Sequence, residues 1–127
     1  MLRTLSEELA VEKPQIKTAI PKQRYQIGPF TAIVLGDIDS SDGLDYQYIL
    51  AMVEEGRDRP GFYVTAERVQ GEDAARGRYR MRILAAWGTE VLGQSDRWQT
   101  LDGFIDDAFS IAVAKLALTD ESVIRLM

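Results

Sequence analysis

Residues 25–56 read YQIGPFTAIVLGDIDSSDGLDYQYILAMVEEG, and how this stretch folds decides the architecture. Phe30 to Leu35 is a short apolar run, rich in β-branched and aromatic types and without a helical stripe. Such a run suits a strand buried on both faces. Gly28 and Pro29 stand just before it, where a strand can start or kink. Residues 37–45, DIDSSDGLD, supply turn chemistry. Asp and Ser bond their own backbone there, and Gly43 takes positive φ without steric cost. From Tyr46 to Val53 the pattern alternates imperfectly. Tyr46, Tyr48, Leu50 and Met52 share one face, and Gln47, Ile49, Ala51 and Val53 the other. The rival is a helix over 42–55, capped by Ser40 or Ser41 and stopped at Gly56. The aromatic and β-branched content favours the strand, so the stretch reads as a hairpin.

Working outward, Arg57-Asp58-Arg59-Pro60-Gly61 is a turn. Phe62 to Val69 is a third strand, and the polar, Gly-containing Gln70 to Gly77 a loop. Residues 78–92, RYRMRILAAWGTEVL, predict a fourth strand and leave room for a fifth after a bulge or bend at Gly88. They hold the cleanest period-two pattern of the chain. Arg78, Arg80 and Arg82 fall on one face, and Tyr79, Met81 and Ile83 on the other. Residues 93–99 read as a loop carrying Trp98.

At Thr100 the periodicity changes to helical. Thr100 is a candidate N-cap, and Asp102, Asp106 and Asp107 suit the positive end of the helix dipole. From Phe104 to Leu118 the helix is apolar nearly all round, which predicts burial on more than one side. A further short helix is expected at 120–126. Upstream, Thr4 and Glu7 match a capping box, which predicts a short helix over 4–12, and Lys13 to Arg24 reads as a linker. The expected organisation is an appendage over 1–24 and a single domain over 25–127. Its fold class is α+β: an antiparallel sheet of four to five strands in a meander, packed by one long C-terminal helix, with a short N-terminal helix.

Composition excludes several chemistries. Among 127 residues there is no Cys and no His. Disulfides, thiolate nucleophiles, Ser-His-Asp triads and the commonest transition-metal ligands are therefore impossible within this chain. No apolar run is long enough to span a bilayer, and acidic residues occupy the place of a signal peptide's apolar core. A cytoplasmic protein without a membrane partner is expected. The net charge is −5 and the pI near 4.7. That lacks the broad basic footprint of non-specific nucleic-acid binding. The charge is divided, however. Residues 25–56 hold six acids and no base, and residues 57–99 hold eight Arg against six acids.

Three constellations stand out. Asp37, Asp39, Asp42 and Asp45 are weak candidates for a cation site. The calcium-loop spacing fails, because Tyr48 stands where the last carboxylate belongs, and a solvated turn explains the acids as well. Arg78, Arg80 and Arg82 are candidates to contact an anion, weighed against cross-strand pairing with acids such as Glu67. No aromatic shares their face, which counts against nucleic acid. The helix residues Phe104, Phe109, Ile111, Val113 and Leu116 are candidates for an interaction surface. Together these predict a non-enzymatic protein-interaction module that self-associates as a homodimer and needs no cofactor. The alternative is a small-molecule-binding domain or a carboxylate/Tyr-based enzyme, with a cleft between sheet and helix lined by Tyr46, Tyr48 and Trp87.

Overall fold

Among the described residues, six successive strands each turn back on the one before. The computed structural model describes residues 13–127. Strands β1 (Ile16–Ile27), β2 (Phe30–Ser40), β3 (Tyr46–Glu54), β4 (Phe62–Arg68), β5 (Tyr79–Ala85) and β6 (Gly88–Ser95) form an antiparallel meander. A 3-10 turn at Asp96–Gln99 leads into helix α1 (Leu101–Lys115). The chain then returns to the far edge as β7 (Val123–Arg125), which pairs with β1. The sheet order is β6-β5-β4-β3-β2-β1-β7.

The expected sheet of four to five strands is thus corrected to seven, with one α-helix among the described residues. The helix expected at 4–12 lies outside the described residues. The expected linker before Tyr25 is largely strand β1. Its two prolines give it the look of a linker. Pro14 precedes the strand, and Pro21 sits where β1 has no outer neighbour among the described residues, since β7 pairs only with Tyr25, Gln26 and Ile27. A missing N–H costs little on such an edge. The helix expected at 120–126 is corrected to β7, where β-branched Val123 and Ile124 join Arg125 in the ladder. The 42–55 stretch is strand from Tyr46 on.

Gly28 and Pro29 make the two-residue turn between β1 and β2, with Ile27 opposite Phe30. Gly28 has φ +55, which only the first central residue of such a turn needs and which glycine reaches cheaply. Asp37 also takes positive φ (47) within β2, beside register shifts in its pairing with β1. Asp tolerates this conformation better than most residues. Its carboxylate is met by Lys22 Nζ at 2.6 Å.

Helix α1 covers one face of the sheet. Phe104, Ala108 and Ala112 are buried against Val34, Leu50, Met52, Val64, Ala66, Met81 and Ile83. Thr100 caps the helix by accepting from the Gly103 N–H at 3.2 Å. Gly103 is needed in the first turn: a Cβ there would lie 2.1 Å from the Arg97 carbonyl oxygen. Trp98 joins the same core, and its indole N–H donates to Asp107 at 2.7 Å. The broad apolar stripe of α1 is largely used on this one face. Ile105, Phe109, Ile111, Val113 and Leu116 are half-buried flanks packed on the same core. No helix of the described residues is long and apolar enough to cross a membrane.

Candidate functional site

Two places on the molecule combine shape with unusual side chains. The first is a groove of about 840 Å³ at the end of the sheet where the β3–β4 loop and the β5–β6 turn meet. It is lined by Phe30, Met52, Phe62 and Trp87, with Glu54, Arg57, Asp58 and Arg59 as its charged residues. Trp87 lies in the two-residue turn between Ala85 and Gly88, which pair directly. That turn holds the indole out, so that Trp87 stays 61% exposed. One side of it rests on Phe62, with ring centres 5.8 Å apart. Phe62 itself is buried, so the pair is an exposed aromatic seated on a fixed one. Tyr63 also lines the groove, and burial pushes its hydroxyl pKa up despite the opposing charge of Arg59. Neither Arg57 nor Arg59 has an ion-pair partner among the described residues. The guanidiniums are left to a ligand or to solvent.

The second place is on the sheet face opposite α1. Tyr46, Glu67 and Arg80 lie in one cross-strand row, and Thr65 and Arg82 in the next. Glu67 is buried to 1% exposure. Its Oε2 accepts from Thr65 Oγ1 at 2.9 Å and from Arg82 Nε at 2.6 Å, and its Oε1 accepts from Arg80 Nη2 at 3.0 Å. A buried carboxylate is costly unless it is paired and hydrogen-bonded, and here it is both. Arg80 Nε is buried without a hydrogen-bond partner. A cavity of about 350 Å³ lies beside this network, lined by Lys13, Gln15, Asp42, Tyr46, Arg82 and Leu84.

Tyr46 reaches this face through a β-bulge. The register slips between Tyr46 and Tyr48, so Tyr46 opposes Glu67 while Tyr48 turns to the helix side, 5.5 Å from the Phe104 ring. Strict alternation placed the two tyrosines together, but the extra residue at Gln47 separates them. The expected cleft of Tyr46, Tyr48 and Trp87 is therefore not assembled. Tyr46 donates its hydroxyl to Asp42 at 2.7 Å. Burial and then the Asp42 carboxylate push its pKa far up. Burial acts to raise the Asp42 carboxyl. The Gln15 N–H, the Tyr46 hydroxyl and the Leu44 N–H outweigh it and hold Asp42 below the usual carboxylate range.

Three of the four turn carboxylates are spent separately, and Asp39, opposite Thr18 in the β1–β2 ladder, joins none of them. Asp37 takes Lys22, Asp45 lies 3.3 Å from Arg68, and Asp42 closes the turn onto Gln15 and Tyr46. Among the described residues no three such side chains gather as a metal site. The arginine row is divided too. Arg80 and Arg82 meet at Glu67, whereas Arg78 pairs with Asp96 and donates to Gln99 Oε1 at 2.6 Å. Of the helix candidates, Phe104 is buried, Phe109 packs edge-on against Tyr25 at 4.8 Å, and Leu116 reaches the groove.

No family model, curated protein or solved structure matches this chain. The function must therefore be read from the groove and the network themselves. The groove is what sequence reasoning missed. Its one legible signal was a tryptophan immediately before a glycine between two strands, where an aromatic cannot be covered by the sheet that flanks it.

Proposed function

We propose that the protein is a non-enzymatic protein-interaction module, and that the groove beside Trp87 receives a short segment of a partner protein. The observation that supports this most is the exposed Trp87 leaning on buried Phe62, with Arg57 and Arg59 lining the same groove. Tryptophan, tyrosine and arginine are the residue types that dominate binding energy at protein interfaces. An apolar floor with two guanidiniums that make no ion pair among the described residues, set beside Glu54 and Asp58, fits a segment carrying an aromatic or leucine side chain next to an Asp or Glu that reaches the arginines. The titratable groups of the second place favour a structural role over proton transfer. Glu67 and Asp42 are saturated by fixed donors, and the chain contains no His or Cys to relay a proton or attack a substrate. A cytoplasmic setting belongs to the same proposal; the acidic surface favours solubility there.

Self-association is a second part of the reading, favoured by one observation. Val123, Ile124, Leu126 and Met127 are all about half exposed along the β7 edge. Contiguous apolar surface of this kind marks a contact site. Pro21, however, guards part of the adjoining β1 edge against strand pairing. We therefore assign any dimer to the β7 side.

Panning a peptide library against the full chain tests the groove. The expected result is enrichment of segments pairing an aromatic or leucine with an acid, lost in Trp87→Ala and weakened in Arg59→Ala. Selected peptides that bind Trp87→Ala unchanged would sink the proposal, as would enrichment of nothing. Sedimentation at micromolar concentration tests the edge: a dimer converted to monomer by Ile124→Asp is expected, and a monomeric parent removes that part.

A further inference from the structure

The cavity of about 350 Å³ on the sheet face opposite α1 has more positive charge around it than its own acids balance. The cavity and the network beside it hold three cations, Lys13, Arg80 and Arg82, against two acids, Asp42 and Glu67. The excess stands out in a chain whose net charge is −5. Both acids are committed. Glu67 accepts from Thr65, Arg80 and Arg82, and Asp42 accepts from the Gln15 and Leu44 N–H groups, each at 3.0 Å, and from the Tyr46 hydroxyl. The cations are not. Lys13 makes no ion pair among the described residues. Arg82 donates through Nε alone, to Glu67, so its two terminal amino groups have no acceptor among the described residues. Arg80 Nε is also without a partner. Water satisfies a guanidinium in the open, but the Arg82 side chain is only 15% exposed. A charge withdrawn from water needs a counter-charge and hydrogen bonds.

Size and charge narrow the occupant. The volume is at the low end for a small-molecule pocket, which admits a compact ligand and no folded partner. Leu44 and Leu84 give the lining an apolar part beside its two cations. The planar fork of a guanidinium matches the two oxygens of a carboxylate. The excess amounts to one charge, which a monoanion balances. A phosphate group carries about two charges near neutral pH and would add repulsion from Asp42.

We infer that this cavity is a binding site for a small monocarboxylate, its carboxylate held by Arg82 and Lys13 and its short apolar chain lying on Leu44 and Leu84. The buried Glu67 is then a positioning residue. It takes Arg82 by Nε and so leaves the terminal amino groups to the ligand. The site shares neither Trp87 nor Phe62 with the groove and does not depend on the partner segment proposed there.

The test is a titration of hexanoate into the full chain, followed by amide and methyl NMR. Saturable shifts at Leu44, Tyr46 and Leu84 are expected. Lys13 also borders the Trp87 groove, so the place of the shifts decides, and Trp87→Ala is expected to bind hexanoate unchanged. Arg82→Gln is expected to lose binding. Lys13→Gln leaves the buried network intact and is expected to weaken binding about tenfold, as for one charged hydrogen bond. The inference is overturned by the lack of any saturable shift up to about 50 mM, or by hexanol moving the same methyl signals as strongly. Shifts confined to Trp87 and Phe62, or tighter binding of inorganic phosphate than of hexanoate, overturn it as well. Should Arg82→Gln fail to fold, Lys13→Gln carries the test, and unchanged affinity in that variant rejects the pair of cations.

Discussion

The two faces of the sheet are built on different principles. The α1 face is held by apolar packing: Phe104, Ala108 and Ala112 meet aliphatic residues from five strands. The opposite face mixes aliphatic residues with a buried glutamate, two arginines and a threonine. Apolar packing is non-directional and tolerates repacking. A buried ionic network permits few geometries, and it punishes the loss of one member more than the loss of all. One face thus rests on apolar packing, and the other on a fixed arrangement of charges.

Substitutions can break or sharpen this contrast. The largest effect is expected from Phe104→Ala, which empties a fully buried site between the helix and Tyr48. A loss of about 4 kcal/mol in urea unfolding is expected from buried Phe-to-Ala changes. Glu67→Ala comes next, at about 3 kcal/mol, the low end for a broken buried pair, because Arg80 is 35% exposed and reaches water. The triple replacement Glu67→Met, Arg80→Leu, Arg82→Met is expected to cost less than Glu67→Ala alone, within about 1 kcal/mol of the parent. If the triple variant is the worse of the two, the second face is not an ionic network in the sense described.

Acid titration gives a smaller, graded test. Burial acts to raise the Asp107 carboxyl, but the Trp98 indole N–H and Arg97 outweigh it and hold it low. Asp42 is held low as well. A carboxyl lowered in the folded state stabilises the fold above its unfolded value of about 3.9 and loses that contribution as pH falls through the lowered value. The urea midpoint is therefore expected to drop from pH 5 toward pH 3, and less steeply in Asp107→Asn. Near-ultraviolet dichroism of buried Trp98 reports the change. The smallest effect is expected from Trp87→Ala. Its indole is mostly exposed, so stability should move by about 0.5 kcal/mol or less, while acrylamide quenching of the remaining Trp98 becomes weak.

The middle of the sheet was legible in the sequence because strands β2 to β5 each alternate or run apolar between turn residues. Thr100 and the change to helical spacing marked α1 equally well. Strand β1 was not legible, since Lys17, Pro21, Lys22 and Arg24 look like a linker, and only the pairing with β2 reveals its role. β7 was lost to its brevity; three residues carry no period. For the candidate sites, the parity of Arg80, Arg82 and Glu67 foretold their meeting across β4 and β5. The bulge at Gln47 did not show, because a one-residue slip leaves no mark in composition. The groove is formed by loops distant in sequence, so no single stretch announced it.

The meander also sets the order in which the molecule should assemble. Strands β1 to β6 each close against the next through a short connection, so the search for these contacts is local and its loop-closure entropy small. The pairing of Val123 with Ile27 is different, because it joins the two ends of nearly the whole described chain. It can form only after the intervening hairpins have brought β1 and the end of α1 together. β7 is then the last strand to add in folding and the first to leave, and its departure leaves six strands still hydrogen-bonded in sequence.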